Sequence, residues 1–292
     1  MSGPTPRLLF LDAQDRVRTG WKVLGYVVCV LALGFILEFA FGLVPPRLRG
    51  EDVGVWLEFL VFLGAAWACL RLEGEPLASI GFRFGGRWSR EFALGALGGF
   101  LLMAVTAGIV RLAGGFHWVR TPGVGAAALA RAFLLYLGVG FAEETGFRGY
   151  AFQRLVRGIG PWGAQILFAL LFALAHWHNP GMAGATKIWA TLNIGLAAIL
   201  LGLAYLRTES LALAIGIHLG WNWTQGSLLG FGVSGTTGTP GLWSPVFQGR
   251  PVWLTGGAFG LEASLPCALV CGLAILLLAR WKGRPAGERR PA

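Results

Sequence analysis

The amino-acid sequence predicts an all-α membrane protein, a bundle of about eight transmembrane helices around an intramembrane cavity. Of 292 residues, 55% are hydrophobic and only 13% charged, and the mean hydropathy is +0.64, far from the composition of a soluble domain. Apolar runs recur along the whole chain, most of them near the ~20 residues that cross a hydrocarbon core of ~30 Å. Charges also occur inside one such run, in GVGFAEETGFRGYAF at 138–152. Nothing polar surrounds them there.

Residues 1–20 hold Arg7, Asp12, Asp15, Arg16 and Arg18 and read as a basic tail. No short apolar stretch ending in a cleavage motif is present, so the first long run, 21–44, is expected to be a retained anchor. Runs at 54–70, 91–113, 132–156, 162–178, 188–206, 210–230 and 261–281 supply seven further spans, and 282–292 forms a second basic tail. Residues 21–281 therefore read as one membrane domain, with a motif-bearing core at 130–230. The loop at 71–90 is rich in Gly and Arg. The loop at 231–260 mixes Gly, Ser, Thr and Pro with Trp and Phe, a composition suited either to an irregular segment that caps a cavity at the membrane interface or to an ordinary exposed connection. No repeat of 20 to 50 residues is present.

The chain carries 24 Lys and Arg against 14 Asp and Glu, and in a membrane protein this excess sets orientation rather than a nucleic-acid partner. With the N-terminus inside, cytoplasmic segments hold 16 basic residues and the opposite segments seven, with Arg148 left over in a span. Both termini are thus expected to be cytoplasmic. Cys29, Cys69, Cys267 and Cys271 all lie within expected spans, form no CxxC pair, and read as small packing residues.

A charge at the centre of a spanning helix costs about 2.5 to 3.5 kcal/mol on translocon scales, so such residues face inward and mark a pathway or a reaction site. At ~100° per residue, Glu144 and Arg148 lie ~40° apart on one helix face and are placed to pair. Glu143 is ~140° from Arg148. It is expected to point elsewhere and to need a proton, a metal or a hydrogen-bonded water. A purely structural ion pair is the plainer reading of these charges, but two other runs weigh against it. FALAHWHNP places Phe172 and His176 one turn apart, and LAIGIHLGWNW does the same for His218 and Asn222. In the second run Gly216 and Gly220 form a GxxxG face on the opposite side of the helix from His218, which lets a neighbouring helix approach closely and aims His218 and Asn222 the other way; Gly95 and Gly99 form another such pair.

Taken together, Glu143-Glu144-x-x-x-Arg148, Phe172-x-x-x-His176 and His218-x-x-x-Asn222 resemble the three-motif signature of the CPBP family, the CAAX-protease and bacteriocin-processing intramembrane proteases related to Rce1-type CAAX endopeptidases. The resemblance covers about residues 130–230 and implies an eight-helix bundle with its active site in an intramembrane cavity. It also implies roles: Glu143 and His176 activate the attacking water, His218 and Asn222 stabilise the oxyanion, and Glu144, Arg148 and Phe172 support the site.

The residue types suit that chemistry on their own. Peptide hydrolysis needs a base for water, an acid for the leaving amine and donors at the oxyanion. Two versions stay open: a metal-free glutamate-type protease needing no cofactor, or a zinc site built from Glu143, His176 and His218 with an open position for water. The metal-free version is preferred, because the resemblance to Rce1-type enzymes points that way and no separate general base is evident if Glu143 is a ligand. Gly232-Val233-Ser234-Gly235 looks like the GxSG of rhomboid serine proteases, but no histidine follows it, and neither HExxH nor GxGD occurs. His178 reads as a helix-end residue, and His117 is assigned no function. The expected partners are the lipid bilayer and a membrane-anchored protein or peptide substrate, in a bacterial plasma membrane. The alternatives are a proton-coupled carrier using the buried Glu, His and Arg, or a catalytically silent immunity or scaffold protein.

Overall fold

The structure is a computed structural model and describes residues 9–12, 14, 16–45, 49–237 and 240–283. Most of both basic tails, together with Asp15 and Arg47, lies outside the described residues, so the orientation count is not addressed there. Among the described residues eight long helices form the bundle: α1 (Thr19–Gly42), α2 (Glu51–Leu72), α3 (Gly86–Leu112), α4 (Ala126–Arg148), α5 (Tyr150–Ala175), α6 (Gly184–Thr208), α7 (Ala212–Trp223) and α8 (Leu265–Arg280). The expected count holds. Among the described residues five segments are long and apolar enough to cross a membrane, one of them the 50-residue stretch Ala126–Ala175 that takes in both α4 and α5.

Several boundaries differ from expectation, each for a local reason. The fourth run was expected to reach 156, but α4 ends at Arg148, because Gly149 leaves helical geometry (φ −77, ψ −129). The first part of α5 then leads to Gly160 (φ 81) and Pro161, where the helix kinks. Only glycine holds that φ without strain, and proline has no N–H to continue the ladder. The fifth run was expected to be helical to 178, but α5 stops at Ala175 and His176 caps its end. The run 210–230 contains only twelve residues of α-helix before a π-type turn at Thr224–Leu228. The last span starts at Leu265 rather than 261, with Ser264 capping it by accepting from the Cys267 amide.

In lipid the hydrophobic effect does not drive helices together, so close approach and polar contacts must do it. α7 is the central element, packed against α3, α4 and α6, and ten of its twelve residues are buried. Its two glycines face the two of α3. An added Cβ on Gly216 would lie 2.2 Å from the Phe92 carbonyl oxygen and one on Gly220 2.1 Å from that of Ala96, while one on Gly99 would lie 2.2 Å from the Ile217 oxygen. The two GxxxG faces thus meet backbone to backbone. At the periphery, α1 leans on α2 and α5 and leaves most of its apolar surface exposed.

Two features at opposite ends complete the frame. After α3, β1 (Phe116–Arg120) pairs antiparallel with β2 (Trp243–Phe247) from the long loop, Phe116 opposite Phe247 and Arg120 opposite Trp243. The sequence reading contained no strand. At the other end, Glu73 accepts from Arg154 Nη2 at 2.7 Å and Nε at 3.3 Å and from the Tyr150 hydroxyl, with Lys22 Nζ at 3.6 Å. This polar cluster ties the ends of α1, α2 and α5.

Candidate active site

The charged stretch that interrupts α4 is resolved by burial. Glu144 is completely buried and Arg148 is 1% exposed. Arg148 Nη1 donates to Glu144 Oε1 at 3.1 Å, as the four-residue spacing predicts. Its Nη2 donates to the Ala198 carbonyl of α6 at 3.1 Å, and the guanidinium lies 4.8 Å from the centre of the Phe172 ring. One side chain therefore joins α4, α5 and α6. The same Glu144 oxygen accepts from His218 Nδ1 at 2.8 Å, which adds α7 to the joint.

That contact fixes the imidazole. A carboxylate only accepts, so Nδ1 carries the proton and Nε2 is turned toward Glu143, with Glu143 Oε2 at 3.8 Å. Glu143 is the less enclosed of the two glutamates, yet its Oε2 is buried without a hydrogen-bond partner. His176 is held at its own end by the same logic: its Nδ1 lies 2.8 Å from the Phe172 carbonyl oxygen, so Nδ1 donates and the neutral ring keeps its lone pair on Nε2. Phe172 thus has two duties, its ring under Arg148 and its carbonyl on His176.

Glu143, Phe172, His176, His218 and Asn222 all line one cavity of about 190 Å³, while Glu144 and Arg148 stand behind it. His178 is exposed and away from it, and His117 lies on β1 against Gln248. The long loop contributes Val233, Ser234 and Thr236 to the cavity wall, so of the two readings of that loop the cap is the observed one. Ser234 reaches the cavity without a histidine partner. Its hydroxyl stands 3.4 and 3.5 Å from the two oxygens of Glu262.

Glu262 is the residue that sequence reasoning missed. It is 6% exposed and lines the same cavity. The signal was present, a carboxylate in the apolar stretch GAFGLEASLPCALV, but starting the last span at 261 put it at the membrane edge. Glu58, also passed over, is a second carboxylate in an apolar run, exposed on α2.

The zinc alternative asks whether Glu143, His176 and His218 close around one point. Among the described residues no three His, Cys, Asp or Glu side chains form a group that could hold a metal ion.

Residues 125–224 match the family described as Type II CAAX prenyl endopeptidase, Rce1-like. The match covers α4 through α7, of which α4, α5 and α7 carry the three motifs, and agrees with the CPBP resemblance of those motifs. Neither the curated proteins nor the solved structures compared with the chain give a match.

Proposed function

We propose that this protein is an intramembrane endopeptidase that hydrolyses a peptide bond of a membrane-associated protein or peptide, by a glutamate-type mechanism. The observation that carries the proposal is the convergence of Glu143, His176, His218 and Asn222 from three separate sequence motifs on one cavity, with a Glu143 oxygen left unpartnered. A structural ion pair accounts for Glu144 and Arg148 but leaves this convergence without a cause.

In this mechanism each group has its own task. Glu143 accepts a proton from a water whose oxygen bonds to the scissile carbonyl carbon, and the carbonyl electrons move onto oxygen. In its imidazolium form His218, its Nδ1–H held by Glu144, donates Nε2–H to that oxyanion together with the Asn222 amide. His176, with its lone pair on Nε2, takes up at that atom the proton that Glu143 removed from water and passes it to the amine as the C–N bond breaks. One oxyanion donor contributes ~10²- to 10³-fold and proton transfer ~10²- to 10⁴-fold. The preferred substrate is a bacterial membrane-anchored protein, since the Ala-, Gly-, Leu- and Arg-rich composition points to a source in which prenylated tails are less expected.

The test is cleavage of a membrane-anchored peptide by wild type and by Glu143→Gln, each with and without a strong chelator. The expected result is cleavage by wild type in both conditions and a loss of at least ~10²-fold in the variant. Loss of wild-type activity in chelator sinks the metal-free mechanism. A folded variant as active as wild type sinks the assignment of Glu143 and moves the carrier reading ahead.

A further inference from the structure

A carboxylate buried beside a reaction site without a cationic hydrogen-bond partner calls for a reason, and the contacts of Glu262 supply one. Its Oε2 accepts from the Ser234 backbone N–H at 2.6 Å and its Oε1 from Trp221 Nε1 at 3.2 Å. Trp221 sits between His218 and Asn222 on α7. Ser234 sits in the turn Val233–Thr236, and its own carbonyl accepts from Asn179 Nδ2 at 2.8 Å, three residues past His176. The two walls of the cavity are therefore joined through one side chain: His176's turn to Asn179, to Ser234, to Glu262, to Trp221 and α7.

The backbone at Ser234 points the same way. Its φ of 48 lies in the left-handed region, which non-glycine residues reach at a cost and keep only where surrounding contacts demand it. Glu262 on its N–H and Asn179 on its carbonyl are those contacts.

Resting on the protease reading, we propose that Glu262 is a positioning residue of the site, a strut whose two oxygens hold the Ser234 turn and Trp221 at fixed separation and so set the His176 wall against the His218 and Asn222 wall. It acts as a double acceptor. Whether or not it touches substrate, its removal misaligns groups that must act on one carbonyl, and a displacement of about 1 Å at a reacting centre costs on the order of 10²-fold in rate.

The test uses Glu262→Gln, Trp221→Phe and the double variant in the full chain. In Glu262→Gln the amide oxygen takes one donor, and its NH2 then faces the other. The expected result, read well below the unfolding temperature, is a fall in kcat of about 10- to 100-fold with KM changed less than about threefold. Hydrogen–deuterium exchange across 229–236 rises at least about tenfold as the Ser234 N–H is released. Trp221→Phe removes the opposing N–H, so the double variant recovers to within about threefold of Trp221→Phe alone, a non-additive rescue that a general loss of stability does not give. A double variant that folds where Glu262→Gln does not is the same rescue. The proposal is overturned by wild-type kcat in Glu262→Gln, by faster exchange at unchanged kcat, or by additive losses in the double variant. A wild type that cleaves none of the peptides removes the protease reading alone, and exchange in Glu262→Gln against the double variant then decides the strut.

Discussion

Replacing Gly220 by alanine adds one methyl group where α7 has no room for it. The new Cβ would stand 2.1 Å from the Ala96 carbonyl oxygen and 2.8 Å from its carbonyl carbon, against an ordinary contact of at least 3.4 Å. The obstacle is backbone, so no rotamer change relieves it, and α7 must move away from α3 by about 1.3 Å, the difference between the two distances. Overpacking of this kind costs about 1 to 3 kcal/mol. The same movement carries His218 and Asn222, on the far side of α7, out of register with Glu143. A loss of activity of the order of 10²-fold is then expected. Gly98→Ala is the internal control, the same chemical change on α3 with nothing within 4 Å of the added atom, and it is expected to be neutral or stabilising by up to about 1 kcal/mol. Thermal unfolding in detergent and peptide cleavage report the two quantities. Equal behaviour of Gly220→Ala and Gly98→Ala in both assays refutes the account of the α3–α7 contact.

Two further outcomes follow from the ion pairs. Glu144→Gln leaves the Arg148 guanidinium buried without its carboxylate and gives His218 Nδ1 a neutral amide oxygen in place of a charged acceptor, so it is expected to destabilise by about 3 to 5 kcal/mol, whereas Glu143→Gln, which breaks no hydrogen bond, leaves the unfolding temperature close to wild type. Burial works against the charge of Glu73, but hydrogen bonds from Arg154 and Tyr150 and the charges of Arg154 and Lys22 outweigh it and hold its carboxyl below the ordinary 4.5. A group lowered in the folded state stabilises above its unfolded value and loses that contribution as pH falls through the folded one. The difference in unfolding temperature between wild type and Glu73→Gln, present near about pH 7, should therefore shrink toward about pH 3; a constant difference sinks this reading.

The bundle and most of the site were legible in the sequence because each rests on local periodicity. The Glu144–Arg148 pair follows from a four-residue spacing, and the aim of His218 away from Gly216 and Gly220 follows from the same helical wheel. The partner of that glycine face did not follow: Gly95 and Gly99 were visible, but only the folded chain shows that the two pairs meet. Phe172 was recognised as a motif position with no physical duty. Its ring serves Arg148 on another helix, and its carbonyl serves His176 through the backbone, which no side-chain pattern records. Glu262 and the β1–β2 ribbon were missed for a related reason, since their contacts join segments more than 25 residues apart and leave no periodic trace.

The twelve-residue α7 has a consequence for how such a site can diversify. At 1.5 Å per residue it extends only about 18 Å, so the remaining depth over the cavity is filled by the turn at Thr224–Leu228 and the loop that follows. That backbone is not left to lipid: Gly230, Phe231 and Leu242 bond back to Gly226, Gln225 and Ser227. Because the cover is a loop and not a crossing helix, its side chains can be exchanged without rewriting any segment that the membrane-insertion machinery must recognise.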